Sequence, residues 1–281
     1  MQLTAVAKVE LGSAIVVYVK DMLRLFLASL ALISLSPAQS PAPYQHINVF
    51  GVHCVATNSV PKAKFHHMAS VLAQYLDNDE DGIVDDPNVL AAMTDPNEPP
   101  CLMALFQSEN EMDSVLNQYG HILDRYRWQN LFADECHPQG SSTQNGFDAT
   151  LEEVLHLVSQ HGWANAYPAA FGEYSGTEIA DAMDLARGGH FNRPPNNYPP
   201  GAWYHYDDRT CRYGCQVTEY FYWLLTSILG AQDYLGRGNE INNEWEPNTA
   251  AKVQSVDAGA WALFQDPRFT FPQVIPDGSY R

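Results

Sequence analysis

Positive charge is scarce in this sequence. Lysine and arginine together number 15, against 33 aspartates and glutamates, so the 281-residue chain carries a formal net charge of -18. Proteins that bind nucleic acid or an anionic membrane surface use basic residues to neutralise phosphate groups. The shortage of lysine and arginine therefore argues against nucleic acid and against anionic lipid as partners.

Long apolar runs are also missing. Residues 11–19 and 25–35 are apolar, but Lys20, Asp21 and Arg24 separate them. Neither run reaches the roughly 18 residues that a membrane helix requires. We therefore expect no stable membrane span in the mature chain.

The second apolar run has the features of a secretory signal peptide. It follows Arg24 and is succeeded by Ser36-Pro37-Ala38, which places small residues where a signal peptidase cleaves. We predict that residues 1–38 are a signal peptide region, cleaved after Ala38, and that the chain is secreted. Met22 is an alternative start, and an uncleaved anchor is the competing interpretation.

Several common catalytic fingerprints are absent. The sequence holds no Gly-x-Ser-x-Gly elbow, no phosphate loop and no dinucleotide-binding glycine pattern. Apolar material is ample, however, because 46% of the residues are hydrophobic and 12% are aromatic. That composition supports a sizeable core, and we predict one globular domain over residues 39–281.

Five cysteines lie beyond the predicted cleavage point, where an oxidising compartment favours disulfides. The spacing of Cys211 and Cys215 suits a small closed loop, and Cys54 with Cys101 suits a link between neighbouring strands. Unpaired buried thiols are the alternative. A four-cysteine zinc site is disfavoured because the cysteines do not form two Cys-x-x-Cys pairs.

Strand patterns are confined to the first half of the chain. Alternation and β-branched residues predict strands at His46–Ala56, Cys101–Phe106 and Leu131–Asp134. Helical periodicity dominates afterwards, in the ranges 151–161, 178–187, 216–229 and 250–264. The predicted fold class is α+β, with a mixed strand and helix first half followed by a mainly helical second half.

The strongest chemical pattern is the run Asp77 to Asn88, which reads Asp-Asn-Asp-Glu-Asp-Gly-Ile-Val-Asp-Asp-Pro-Asn. Acids recur at alternate positions before Gly82, which permits the sharp turn that wraps backbone around a hard cation. The pattern predicts a Ca²⁺ site. The predicted ligands are Asp77, Asp79, Asp81, the Ile83 carbonyl, Asp85 and Asn88.

Helical signals flank this loop over residues 61–93, with Asp86 as a cap and Pro87 opening the second helix. The arrangement resembles an EF-hand. Asn88 stands where that family has a bidentate glutamate, which implies weak affinity in the extracellular range. The alternative is an acidic solvated turn that binds no ion.

A second pattern lies in the predicted helix 151–161. Glu152 and His156 are one turn apart, a spacing that lets two side chains grip one metal ion, and Glu153 lies beside them. The segment Glu152-Glu-Val-Leu-His156 resembles the His-Glu-x-x-His helix of zincin metallopeptidases, with Glu152 replacing the first histidine.

This resemblance implies a Zn²⁺ ion held by Glu152, His156 and a third ligand from the second half. Glu178 is the first choice, with Asp181, Glu173 and Glu219 as further candidates. It also implies that Glu153 is the general base and that Tyr206 or Tyr222 supports the oxyanion. A zincin-like architecture is one form that the predicted fold can take.

A simpler explanation exists for the two glutamates. Thr150 and Glu153 match the Thr-x-x-Glu capping box, and acids in a first helical turn are favoured by the helix dipole. The sequence thus supports two functions. One is a secreted calcium-binding protein with a zincin-like metal-dependent hydrolase site for peptides or another extracellular substrate. The other is a non-catalytic extracellular calcium-binding structural or interaction protein.

Overall fold

Four strands form a single mixed sheet in the computed structural model, which describes residues 44–281. They are β1 (Tyr44–Val49), β2 (Val52–Thr57), β3 (Cys101–Phe106) and β4 (Arg127–Phe132), in the spatial order β1-β2-β3-β4. β1 and β2 are antiparallel, whereas the β2–β3 and β3–β4 pairs are parallel. The predicted signal peptide and its cleavage site lie outside the described residues.

The predicted strand His46–Ala56 is in fact a hairpin. The chain reverses at Phe50 and Gly51, whose φ angles of 50° and 102° are left-handed, and the Asn48 side chain accepts a hydrogen bond from the Gly51 amide. Apolar residues continue through this tight turn, so alternation alone did not reveal it. β4 begins at Arg127, earlier than the predicted start at Leu131. Its first residues are only half-buried, so they lack the apolar pattern on which the prediction relied.

Helices make up most of the remainder. In chain order they are α1 (Lys62–Leu76), α2 (Pro87–Met93), α3 (Glu109–Leu123), α4 (Thr150–Val158), α5 (Ala164–Ala166), α6 (Pro168–Phe171), α7 (Glu178–Ala186), α8 (Tyr213–Ile228), α9 (Arg237–Ile241), α10 (Ala250–Val256) and α11 (Ala258–Phe264). The α+β prediction is confirmed, with the sheet in the first half and mostly helices in the second. The predicted helix 250–264 is divided at Asp257, whose side chain caps α11.

The buried faces of sheet and helices meet around α4. This helix packs against α1, β4 and α8, and continues into a π-helical turn at Ser159–Trp163. All six residues of β3 are buried, which is typical of a parallel strand covered on both faces. Of the helices in residues 44–281, none is long and apolar enough to span a membrane.

One of the predicted disulfides is present. Cys211 and Cys215 are bonded across the start of α8, with their Cα atoms 5.4 Å apart. Cys54, Cys101 and Cys136 are free and buried. The predicted Cys54–Cys101 link does not form: in the parallel β2–β3 register Cys54 lies opposite Met103.

Candidate metal centre

Helix α4 is amphipathic, and this orients its polar residues. Leu151, Val154, Leu155 and Val158 are buried in the core, as helical spacing predicts. The chain is held at the start of the helix by Asp148, whose Oδ1 accepts hydrogen bonds from the amides of Thr150 and His137. The acids of the first turn therefore project toward β4 and α8.

The predicted capping box is not formed. Thr150 is a buried residue of the first helical turn. Its amide donates a hydrogen bond to the Asp148 side chain. Glu153 does not fold back onto the helix start. Its carboxylate instead accepts a hydrogen bond from Gln129 of β4. The capping explanation of Glu153 is therefore wrong.

Three side chains from two helices converge beside α4. One ligand atom each of Glu152, His156 and Glu219 lies within 4.8 Å of the other two. Glu219 comes from α8, and its Oε2 is 3.3 Å from His156 Nε2. That nitrogen is buried and has no hydrogen-bond partner of normal geometry within residues 44–281. A buried polar atom without such a partner is uncommon and calls for an explanation.

The surrounding residues hold this cluster in place. Glu153 Oε2 is 3.6 Å from the other ring nitrogen of His156, Nδ1. The Tyr206 hydroxyl donates to Glu219 at 3.3 Å, and the Tyr222 ring meets the imidazole edge-on with centroids 5.7 Å apart. Metal-binding histidines usually donate the second ring N–H to a carboxylate, and Glu153 is the carboxylate nearest to that position, at an ion-pair distance longer than a hydrogen bond. The contact favours an orienting role for Glu153 over the role of general base.

Charge is concentrated in this small volume. Burial and the nearby Glu219 carboxylate raise the pKa of Glu152 to about 8. Burial lowers the pKa of His156, but the Glu219 and Glu153 carboxylates outweigh it, and the net pKa is well above the ordinary value. Burial also raises the pKa of Glu244, which interacts with Glu219, to about 7. Without a metal, the centre therefore retains protons on Glu152 and His156 near neutral pH.

The predicted third ligand Glu178 lies elsewhere. It is exposed on α7 and forms an ion pair with Arg268 at 3.0 Å, and Asp181 is exposed on the same helix. Glu173 lies close to the centre, where it accepts hydrogen bonds from Thr218 and Gln160. These acids all lie far from Glu152 and His156 in the chain, so spacing did not indicate which of them is the third ligand.

Glu219 takes the place that Glu178 was expected to fill. It is the one charged residue in the 16-residue helix α8, Tyr213–Ile228, whose other residues are apolar, aromatic or uncharged polar. A lone carboxylate in such a helix is a sequence signal for a functional site, because burial of an unpaired charge is unfavourable. That signal ranks Glu219 above the exposed acids of α7.

The donor set fits a divalent metal ion. Two carboxylates and one imidazole are ligands of Zn²⁺ at about 2.0 to 2.2 Å, and catalytic zinc sites use three protein ligands with a further position open. His156 Nε2, whose contact with Glu219 lacks hydrogen-bond geometry, is the donor atom expected to face the ion. Because two of the three donors are oxygens, Mn²⁺ and Fe²⁺ suit the set as well.

An open groove lies next to the centre. Its volume is about 450 Å³, and its lining includes Asn196, Tyr198, His205, Tyr206, Asp207 and Arg209. Tyr206 joins the two features, since its hydroxyl donates to Glu219 and its ring forms part of the groove. The groove offers polar side chains on the Tyr206 side of the centre, and its lining does not include Glu152, His156 or Glu219.

The predicted calcium loop forms only in part. Asp77, Asp79 and Asp85 bring ligand oxygens within 4.8 Å of one another, and Gly82 has the left-handed φ of 86° that the turn requires. The Asp81 amide donates hydrogen bonds to the carboxylates of Asp77 and Asp79. The Asp81 carboxylate accepts a hydrogen bond from the Ile83 amide.

Asn88 has a hydrogen-bond partner outside the loop. It lies on α2, capped by Asp86 as expected, and its side-chain amide donates to the Tyr167 hydroxyl. Its role as the last of the six predicted Ca²⁺ ligands stays a prediction.

The C-terminal segment, residues 273–280, lies over the calcium loop. The side-chain oxygen of Asn78 accepts hydrogen bonds from the amides of Gln273 and Val274. The Tyr280 hydroxyl donates a hydrogen bond to Asp77 Oδ2. Burial and the Asp77 carboxylate raise the pKa of Tyr280, so this hydroxyl remains a donor. Residues 273–280 are thereby joined to the loop.

Comparison of the chain with protein-family models, with curated proteins and with solved structures finds no match. The resemblances to EF-hand and zincin proteins therefore rest on the motif residues alone.

Proposed function

We propose that residues 44–281 form a metal-dependent hydrolase domain of a secreted protein. The ligands are Glu152, His156 and Glu219, and the preferred metal is Zn²⁺. The observation that carries this proposal is the buried His156 Nε2, which has no hydrogen-bond partner of normal geometry and lies 3.3 Å from a Glu219 oxygen. A metal ion between these donors satisfies all of them.

When bound, the metal supplies Lewis-acid polarisation of a carbonyl and lowers the pKa of a coordinated water. The residues of the chain have separate tasks. Glu153 orients the His156 ring through Nδ1. Glu244 accepts a hydrogen bond from Trp223, and burial together with the like charge of Glu219 raises its pKa to about 7. Tyr206 donates to Glu219 and faces the groove, where a hydroxyl can stabilise developing negative charge.

Peptides are the proposed substrate class. The groove beside the centre is open and lined by amide, hydroxyl, imidazole, carboxylate and guanidinium groups, which offer donors and acceptors to an extended peptide. The acidic balance of the chain favours basic or neutral peptides over acidic ones. Secretion is supported by the Cys211–Cys215 disulfide together with the N-terminal signal pattern.

Calcium has a structural task in this proposal. Asp77, Asp79 and Asp85 hold Ca²⁺ between α1 and α2, and α1 packs directly against α4. The ion thereby stabilises the scaffold that supports the catalytic helix. Weak affinity is sufficient for this purpose outside the cell, where calcium is abundant.

The test is metal content and hydrolysis measured together. Protein purified without chelators is compared with Glu219→Gln, and the matched control is Glu178→Gln, which alters an acid paired with Arg268 on the surface. We expect Glu219→Gln to lose about one equivalent of zinc and cleavage of a denatured protein substrate. The control is expected to retain both.

Two results would redirect the proposal. Equal zinc content in wild type and Glu219→Gln would remove the metal centre and the hydrolase with it. If Glu219→Gln loses zinc but the wild type shows no hydrolysis, the non-catalytic calcium-binding alternative is favoured. The ion pairs of His156 with Glu153 and Glu219 support that alternative, because they offset part of the carboxylate charge without any metal.

A further inference from the structure

A second group of metal-ligating side chains lies in the core. His67 of α1, Cys136 after β4 and Asp148 before α4 place one ligand atom each within 4.8 Å of the other two. Their exposures are 4%, 0% and 2%. We propose that these residues form a buried structural metal site of the zinc class, separate from the centre on Glu152, His156 and Glu219.

The donor types select the metal. A thiolate, an imidazole and a carboxylate are all established zinc ligands, and sulfur disfavours the hard cations calcium and magnesium. His67 Nε2 and Asp148 Oδ2 are 2.6 Å apart in a direct hydrogen bond, which must open for an ion to bind between them. The Cys136 thiol donates a weak hydrogen bond of 3.6 Å to the Lys64 carbonyl. The sulfur is therefore not committed to a strong hydrogen bond.

Thr150 provides an independent sign of a missing partner. Its hydroxyl is completely buried and has no hydrogen-bond partner of normal geometry in the described chain. The same hydroxyl lies beside Cys136 and Asp148. It is therefore a polar group at the edge of the site, next to two of its three protein ligands.

Charge balance permits an ion at this depth. A divalent cation with one thiolate and one carboxylate is neutral overall, with His67 uncharged. Without the ion, the Asp148 carboxylate is compensated by its 2.6 Å contact with His67 Nε2 and by the amides of His137 and Thr150. The carboxylate is therefore not left without a partner in either state.

A catalytic role for the same residues does not fit. Cys136 resembles a nucleophile beside a histidine and an aspartate, but its sulfur is inaccessible to any substrate. Burial raises the pKa of the Cys136 thiol to about 11, so the thiolate does not form near neutral pH without a metal.

The position of the site explains what it would stabilise. Cys136 and Asp148 bracket residues 137–147, and the His137 amide donates to Asp148 at the base of this loop. A metal there ties the loop and the first turn of α4 to α1. The catalytic helix is then fixed at its N-terminal end.

Cobalt substitution tests the site through its sulfur ligand. A thiolate gives cobalt(II) an ultraviolet charge-transfer absorption that carboxylate and imidazole ligands do not give. The full chain is produced in zinc-depleted medium supplemented with cobalt, so that a buried site is loaded during folding. We expect the absorption in the wild type and its loss in Cys136→Ser.

Three further variants make the outcome decisive. Cys54→Ser alters another free, fully buried thiol and is expected to retain the absorption. Glu219→Gln is expected to retain it too, because that variant changes only the other centre. His67→Asn is expected to reduce it if Cys136→Ser fails to fold. Absence of the absorption in the wild type, or its persistence in both Cys136→Ser and His67→Asn, would show that the cluster is only a buried ion pair.

Discussion

Replacing Glu153 by glutamine distinguishes an orienting residue from a general base. The substitution preserves the size of the side chain and keeps an oxygen that accepts from Gln129. It removes the negative charge that lies 3.6 Å from His156 Nδ1. If Glu153 orients the imidazole, the variant should bind zinc more weakly.

The magnitude follows from the length of this contact. Removal of an outer-shell partner of a metal ligand typically lowers metal affinity about 10- to 100-fold. Charge-assisted hydrogen bonds are usually about 2.7 to 2.9 Å long, and the Glu153–His156 contact is longer. We therefore expect the lower end of that range, about 10-fold, which corresponds to about 1.4 kcal/mol.

A competition titration against a zinc chelator of known affinity measures the effect directly. Wild type, Glu153→Gln and the surface control Glu178→Gln are compared at one pH and one ionic strength. Hydrolysis of a peptide substrate is followed in the same preparations at saturating zinc. The control is expected to match the wild type in both measurements.

The orienting role is refuted by one combination of results. If Glu153→Gln binds zinc as tightly as the wild type but hydrolyses peptide about 10²- to 10⁴-fold more slowly, Glu153 is the general base that the motif predicts. A weaker zinc affinity with near-normal hydrolysis at saturating zinc supports the orienting role instead.

Three further predictions concern stability. Because Glu152 has its pKa raised from 4.5 to about 8 and that of His156 is also raised, the metal-free folded chain holds more protons than the unfolded chain above about pH 4.5. Its free energy of unfolding, measured in urea, should therefore fall as pH rises to about 8, and it should fall less steeply in Glu152→Gln. An equal dependence on pH in the two proteins would contradict this. Calcium should raise the melting temperature of the wild type but not of Asp77→Asn; an equal rise would exclude Asp77 as a ligand. Replacing Cys211 and Cys215 by serine should lower the free energy of unfolding by about 2 kcal/mol, since the closed loop is short; an unchanged denaturant midpoint would argue against it.

Local patterns predicted several features correctly. The helix pair around the acidic loop, the cap at Asp86 and the amphipathic helix α4 all formed as expected. So did the α+β class and the Cys211–Cys215 disulfide. Each depends on residues a few positions apart, where backbone geometry alone fixes which side chains can meet.

Errors arose where a local pattern had two solutions. Thr150 and Glu153 have the spacing of a capping box, but the Asp148 side chain accepts the hydrogen bond from the Thr150 amide. Gln129 of β4 donates to the Glu153 carboxylate. The strand predicted at His46–Ala56 became a hairpin because Phe50 and Gly51 adopt left-handed backbone angles. Tertiary contacts selected one solution in each case.

The residues of the candidate centre show the same division. The sequence by itself placed Glu152 and His156 one helical turn apart, because i and i+4 positions share a face. It did not identify the third ligand, since Glu173, Glu178 and Glu219 are all distant in the chain. Only the packing of α8 against α4 brought Glu219 to His156, while α7 left Glu178 at the surface with Arg268. Helical periodicity is a local property, whereas the meeting of two helices depends on how their buried faces pack in three dimensions.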